Sequence, residues 1–147
     1  MTPQVYTIGF TQSSAERFFE RLVNSGVRKV IDVRLHNTSQ LAGFAKAADL
    51  KYFLSRIGDI GYEHQPLLAP TADMLEAYKK LGGHWSDYEV RFLNLMAERR
   101  IETLISPQMF EGACLLCSEA KPHHCHRRLV CDYLNSRWNE KLKVCHL

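Results

Sequence analysis

The stretch that most constrains the fold is the first 35 residues. VYTIGF (5–10) is rich in β-forming side chains and ends near a glycine, the pattern of a strand running into a loop. Ser13 and Ser14 then precede AERFFERLVNSG, where Phe18, Phe19, Leu22 and Val23 recur at helical spacing and Gly26 supplies a stop. VRKVIDVRL (27–35) carries Val30, Ile31 and Val33 and reads as a second buried strand. Strand, helix and strand in about 30 residues make a βαβ unit, and the helical crossover implies parallel strands.

The remaining chain extends this pattern. HNTSQLAGFAKA (36–47) is polar and irregular, and DLKYFLSRIG (49–58) is a short helix with Leu50, Phe53, Leu54 and Ile57 on one face. YEHQPLL (62–68) is predicted as a third strand, closed by Pro70. TADMLEAYKKLGG has an N-cap in Thr71 or Asp73 and a double-glycine stop. Residues 85–106 read as mostly helical with a break near Arg100. ACLLC (113–117) is a short apolar strand, and Pro122 fits the first position of a last helix through HHCHRRLVCDYLNSRW. The expected architecture is α/β: a single-domain three-layer sandwich over residues 1–147, Rossmann-like, with a mainly parallel sheet. Ligands of such sheets sit beyond the carboxyl ends of the strands. The loops after Phe10, Arg34 and Cys117 are predicted to meet there.

Composition removes several function classes. At 46% apolar, the chain has enough material for a core. A net charge of +3 permits nucleic-acid contact without arguing for it. No apolar run approaches the roughly 18 residues of a membrane span, and MTPQVYTIGF has no basic segment leading an apolar one. Five cysteines, crowded late in the chain, favour reduced thiols over a disulfide framework. The expected location is therefore cytoplasmic. A phosphate loop, a GxSxG elbow and a dinucleotide-binding glycine pattern are all lacking, which argues against ATPases, α/β hydrolases and Rossmann dehydrogenases. The tyrosine-phosphatase arrangement also fails, because no Arg follows Cys117 at a spacing of six. No residue pattern names a cofactor or an oligomeric state.

The chemistry concentrates in CLLCSEAKPHHCHRRLVCDYL, Cys114 to Leu134, which holds four of the five cysteines and three of the seven histidines. Three readings compete. The first is metal. Cys114 and Cys117 have half-site spacing, but on a strand residues three apart point to opposite faces, and no turn residue lies between them. Cys114 then reads as a small core residue. A site using Cys117, Cys125 and one histidine remains as an alternative. The second is an activated thiol. Cys117 ends a buried strand before a helix start, where unpaired N–H groups, the dipole, His123, His124, His126, Arg127 and Arg128 would lower a thiol pKa. The third is an anion site, with the helix N-terminus, Arg127 and Arg34 holding phosphate or carboxylate.

Other residues take supporting roles. Asp32 lies two residues before Arg34 on the same strand face and is expected to orient it, with a base role as the alternative. His126 precedes Leu129 and Val130 and is expected to tuck under the helix as a satisfied core histidine. Arg128 is placed to pair with Asp132 four residues on. Glu119 either contacts a ligand or faces water. His36, Tyr62 and His64 are candidates for the mouth of the site.

YTIGF, IDVR, LAGFAK and above all LLCSEAKPHHCHRRLV resemble the family catalogued as domain of unknown function 488, over about residues 5–135. The match falls on Gly9, Asp32, Arg34, Phe44, Cys117, Glu119, Cys125, His126 and Arg127. Many members carry a His after the TIG; here Phe10 stands there. The resemblance implies an α/β fold and a paired-cysteine site of enzymatic character. The expectation that follows is an enzyme acting on a nucleotide, nucleic acid or other anionic substrate. Cys117 and Cys125 would be its thiols, with Glu119 or Asp32 handling protons. Arg34, Arg127, His126, Gly9 and Phe44 would contact substrate. A non-catalytic nucleotide-binding or nucleic-acid-binding module and a metal-bound domain are the alternatives.

Overall fold

The structure is a computed structural model and describes residues 3–38, 43–119, 124–139 and 141–147. Five strands form one sheet: β1 (Gln4–Gly9), β2 (Lys29–Asp32), β3 (Gly61–His64), β4 (Ala113–Cys117) and β5 (Lys143–His146). Their order is β3-β2-β4-β1-β5, and every pairing is parallel. Six helices accompany them among the described residues: α1 (Ala15–Asn24), α2 (Ala47–Gly58), α3 (Ala72–Leu75), α4 (Trp85–Arg99), α5 (Ile101–Leu104) and α6 (His126–Arg137). None is long and apolar enough to cross a membrane.

Alternation on the central strand β4 creates two cores. Cys114 and Leu116 face Ile8, Phe18, Leu22, Leu50 and Leu54, on the side of α1 and α2. Leu115 and Cys117 face Phe92, Met96, Leu129 and Leu134, on the side of α4 and α6. Every residue of β4 is buried, as expected for a parallel strand covered on both faces. Each buried Leu or Phe contributes roughly 1.5–3 kcal/mol, so these two layers supply the drive to fold. Ser14 caps α1 by accepting from Arg17 N at 3.2 Å, and Thr71 caps α3 by accepting from Met74 N at 3.2 Å. Arg100 takes a left-handed conformation, φ 53°, and separates α4 from α5 where the break was expected.

Several boundaries differ from the sequence reading, each for a local reason. The second strand stops at Asp32 because its carboxylate Oδ1 accepts the backbone N–H of Arg34 at 3.1 Å, turning the chain out of the sheet. The third strand stops at His64, because Pro66 opens a 3-10 turn, Pro66–Leu68. The helix over TADMLEAYKK widens after Leu75 into a π turn, Glu76–Lys80. The last helix begins at His126, since Cys125 is extended (φ −141°, ψ 138°) and serves as its N-cap. His124 and Cys125 therefore precede the helix. Pro122 and His123, expected in its first turn, lie outside the described residues, as does part of LAGFAK. β5 is an addition: KVCH is a weak strand by itself and is formed by pairing with β1.

Candidate active site

The register places the carboxyl ends of the strands side by side. Gly9 sits opposite Cys117, and Asp32 lies between His64 and Leu116. The three predicted loops do meet. Thr11 N donates to Ser118 O at 3.1 Å, and Val33 N donates to Leu116 O at 3.1 Å. His126 Nε2 lies 2.6 Å from Val33 O, joining the start of α6 to the end of β2.

At this junction the sulfurs of Cys117 and Cys125 are within bonding distance and form a disulfide, with Cα atoms 7.3 Å apart. Both residues are buried. Arg127, fully buried behind them, donates from Nη1 to Cys117 Sγ at 3.3 Å, and the same nitrogen lies 3.9 Å from Cys125 Sγ. Nη1 also donates to the carbonyl of Glu119. Burial pulls Arg127 down to about 10, which leaves it cationic at neutral pH. A guanidinium held against a sulfur favours the thiolate whenever the disulfide is open.

Gly9 makes this packing feasible. A Cβ built at Gly9 falls 2.7 Å from Arg127 Nη1 and overlaps the Glu119 carbonyl oxygen outright. The glycine is thus a close-approach position for the loop after β4.

His126 is a buried, neutral ring. A carbonyl only accepts, so the 2.6 Å bond to Val33 O puts the proton on Nε2 and leaves the lone pair on Nδ1. Burial lowers its pKa to about 4, outweighing the opposing effect of the Val33 hydrogen bond. One donor atom each from Cys117, Cys125 and His126 lies within 4.8 Å of the other two.

Asp32 and Arg34 form a closed unit beside the cysteines. Arg34 Nε and Nη2 each donate to the Asp32 carboxylate at 2.8 Å, and Nη2 also donates to Ala45 O at 2.7 Å. Tyr62 Oη donates to Asp32 Oδ2 at 2.6 Å. Burial, then the Asp32 carboxylate, pushes Tyr62 up to about 12. The Arg34 guanidinium lies over the Phe10 ring at 5.2 Å. Asp32 is fully buried and its oxygens are committed to Arg34 and Tyr62. His64 accompanies the pair with a ring nitrogen 2.9 Å from Arg34 O.

A cleft of ≈ 190 Å³ opens onto the cysteines. Arg34, His36, Cys117, Glu119, Cys125 and His126 line it. Glu119 pairs with Lys79 at the rim. Arg127 lies behind the sulfurs and is not among the lining residues. Phe44 is elsewhere: it packs against Phe18 and Phe19, ring centroids 5.3 and 5.9 Å away, in the α1 and α2 layer. Arg128 pairs with Asp132 at 2.8 Å, as expected.

The sequence reading missed one wall of the cleft. Tyr78 and Lys79 come from the π turn, Trp85 and Tyr88 from the start of α4, and His124 from the loop before α6. Trp85 stacks on His124 at 4.9 Å and on Tyr88 at 5.1 Å. A signal for this wall was available: three aromatic residues fall within residues 78–88, too polar in context to be read as simple core.

Residues 14–134 match the family described as Domain of unknown function DUF488. The chain belongs to this family. No curated protein and no solved structure gives a significant match. The matched span of this DUF488 protein includes Arg34, Cys117, Cys125 and His126, which line the cleft, and Asp32 and Arg127, which lie behind them. Gly9, which leaves room for the loop after β4 and for Arg127 Nη1, lies before the matched span.

Proposed function

We propose that this DUF488 protein is a thiol-dependent enzyme acting on an anionic substrate, a nucleotide, nucleic acid or other phosphorylated compound. The observation that carries the reading is the convergence of Cys117, Cys125 and Arg127, with the sulfurs in contact and a buried guanidinium 3.3 Å from Cys117. Cys117 is the nucleophile, held as thiolate by Arg127. Cys125 is the partner thiol: an external disulfide, itself reduced to two thiols by exchange, oxidises the pair to the Cys117–Cys125 disulfide and idles the nucleophile, and an external thiol reductant reopens it. Arg34, Lys79 and the first N–H groups of α6 hold the anion in the cleft. Arg127 acts on substrate through the sulfur it charges. Glu119, exposed at the rim, handles protons, while Asp32 orients Arg34. The aromatic wall of Tyr78, Trp85 and Tyr88 suits a flat ring, which favours a nucleotide among the anions. The three free cysteines, Cys114, Cys131 and Cys145, fit a cytoplasmic setting.

The test is the pH dependence of alkylation of the reduced, chelator-treated protein, mapped to each cysteine by mass spectrometry. Cys117 is expected to react with an apparent pKa well below the free value of about 8.5. Reaction only above that value removes the nucleophile. Nucleotide and oligonucleotide binding tests the anion: affinity unchanged in Arg34→Ala removes the substrate class.

A further inference from the structure

The Cys117 and Cys125 sulfurs have a second potential occupant besides each other. Their Cα atoms stand 7.3 Å apart, wider than the usual disulfide range of about 4.4–6.8 Å. Two thiolates on one tetrahedral zinc, with bonds of about 2.3 Å, have sulfurs roughly 3.8 Å apart. A wide Cα spacing suits that arrangement. His126 supplies the third donor: one atom from each of the three residues lies within 4.8 Å of the others, and all three residues are buried. Its Nε2–H is committed to the Val33 carbonyl at 2.6 Å. Metal-bound imidazoles nearly always make such an outer bond, which fixes the ring and leaves the other nitrogen to the ion.

We infer that, with the disulfide reduced, Cys117, Cys125 and His126 bind a borderline-soft divalent cation of the Zn²⁺ type. Two thiolates and an imidazole select such an ion over Mg²⁺ or Ca²⁺. Binding displaces whichever thiol protons the pair still carries, and these are released to solvent. The thiolates and the ion cancel in charge, and the Arg127 hydrogen bond to Cys117 is compatible with a metal-bound sulfur. Three protein ligands leave a fourth position. Because all three residues line the cleft, that position faces the place where water or substrate enters. This inference does not rest on the nucleophile reading. The ion and the disulfide exclude each other, since both need the same two sulfurs.

The experiment uses the full chain, reduced and kept anaerobic. One equivalent of Zn²⁺ is expected to slow alkylation of Cys117 and Cys125 at least tenfold, with half-buried Cys145 unaffected and chelator restoring both rates. Zinc K-edge absorption of the loaded wild type is expected to report two sulfur neighbours and at least one imidazole nitrogen. Unchanged alkylation of the pair, or a shell of oxygens alone or of four sulfurs, overturns the site. The alkylation pKa measured with chelator tests the nucleophile separately, so either idea can fail alone.

Discussion

Arg127 Nη1 touches Cys117 Sγ at 3.3 Å, and nothing about the strand that carries Cys117 would produce that contact. It arises because Cys125, as N-cap of α6, sends Arg127 back beneath the end of β4. There the guanidinium bridges the sulfur and the Glu119 carbonyl.

Arg127→Met keeps length and apolar volume while removing the charge. A hydrogen bond to a charged partner contributes about 1.5–3 kcal/mol, or about 1–2 pKa units. The Cys117 alkylation pKa in the reduced, metal-free variant is expected to rise by that amount. An unshifted pKa would show that the contact does not charge the sulfur.

Gly9→Ala drives a methyl group into the Glu119 carbonyl and against Arg127 Nη1. Because the obstacle includes backbone, the loop after β4 must move. Denaturant unfolding is expected to show a loss of about 1–3 kcal/mol. Cys117 reactivity should shift in the same direction as in Arg127→Met. Gly43→Ala, where no atom lies within 4 Å of the added Cβ and the backbone is not left-handed, gives the cost of the substitution without a clash.

Asp32→Asn leaves the Arg34 guanidinium buried without its carboxylate. Removing one partner of a buried pair costs about 3–5 kcal/mol, against about 1–2 kcal/mol for Tyr62→Phe, which removes only one donor. Urea titration of the two variants separates them. In Asp32→Asn the Tyr62 phenol should also ionise below its present value of about 12, yet above 10, because burial is the larger cause of its shift.

His126 makes stability depend on pH. Its folded pKa, about 4, lies below the unfolded value of about 6.5. Between these values the unfolded chain binds more protons, so stability rises with pH. The contribution is complete above about 6.5 and is lost as pH falls toward 4; its size is on the order of 3 kcal/mol. Unfolding of the disulfide form, which cannot bind metal through its sulfurs, is the measurement. His126→Gln should flatten the slope between pH 4 and 6.5; an unchanged slope would assign it to other groups.

Much of this architecture was legible because it depends on local periodicity. The βαβ opening, the buried ACLLC strand and the break at Arg100 follow from hydrophobic spacing and helix stops, and the alternation on β4 correctly sent Cys114 and Cys117 to opposite faces. The pairing of Arg34 with Asp32 and of Arg128 with Asp132 was readable for the same reason: each joins residues close in sequence.

What depends on distant parts of the chain was decided by tertiary structure. KVCH becomes a strand only because β1 offers an unpaired edge. The aromatic wall forms because a π turn and the start of α4 are laid beside the loop before α6. Phe44 joins the α1 and α2 layer, because its neighbours Phe18 and Phe19 are supplied there. The sequence by itself singled out Asp32, Arg34, Cys117, Cys125, His126 and Arg127 as candidates and located the strand ends near which they lie. The meeting of two sulfurs, an imidazole and a guanidinium required packing across the sheet edge, where Gly9 leaves room and Val33 holds the ring.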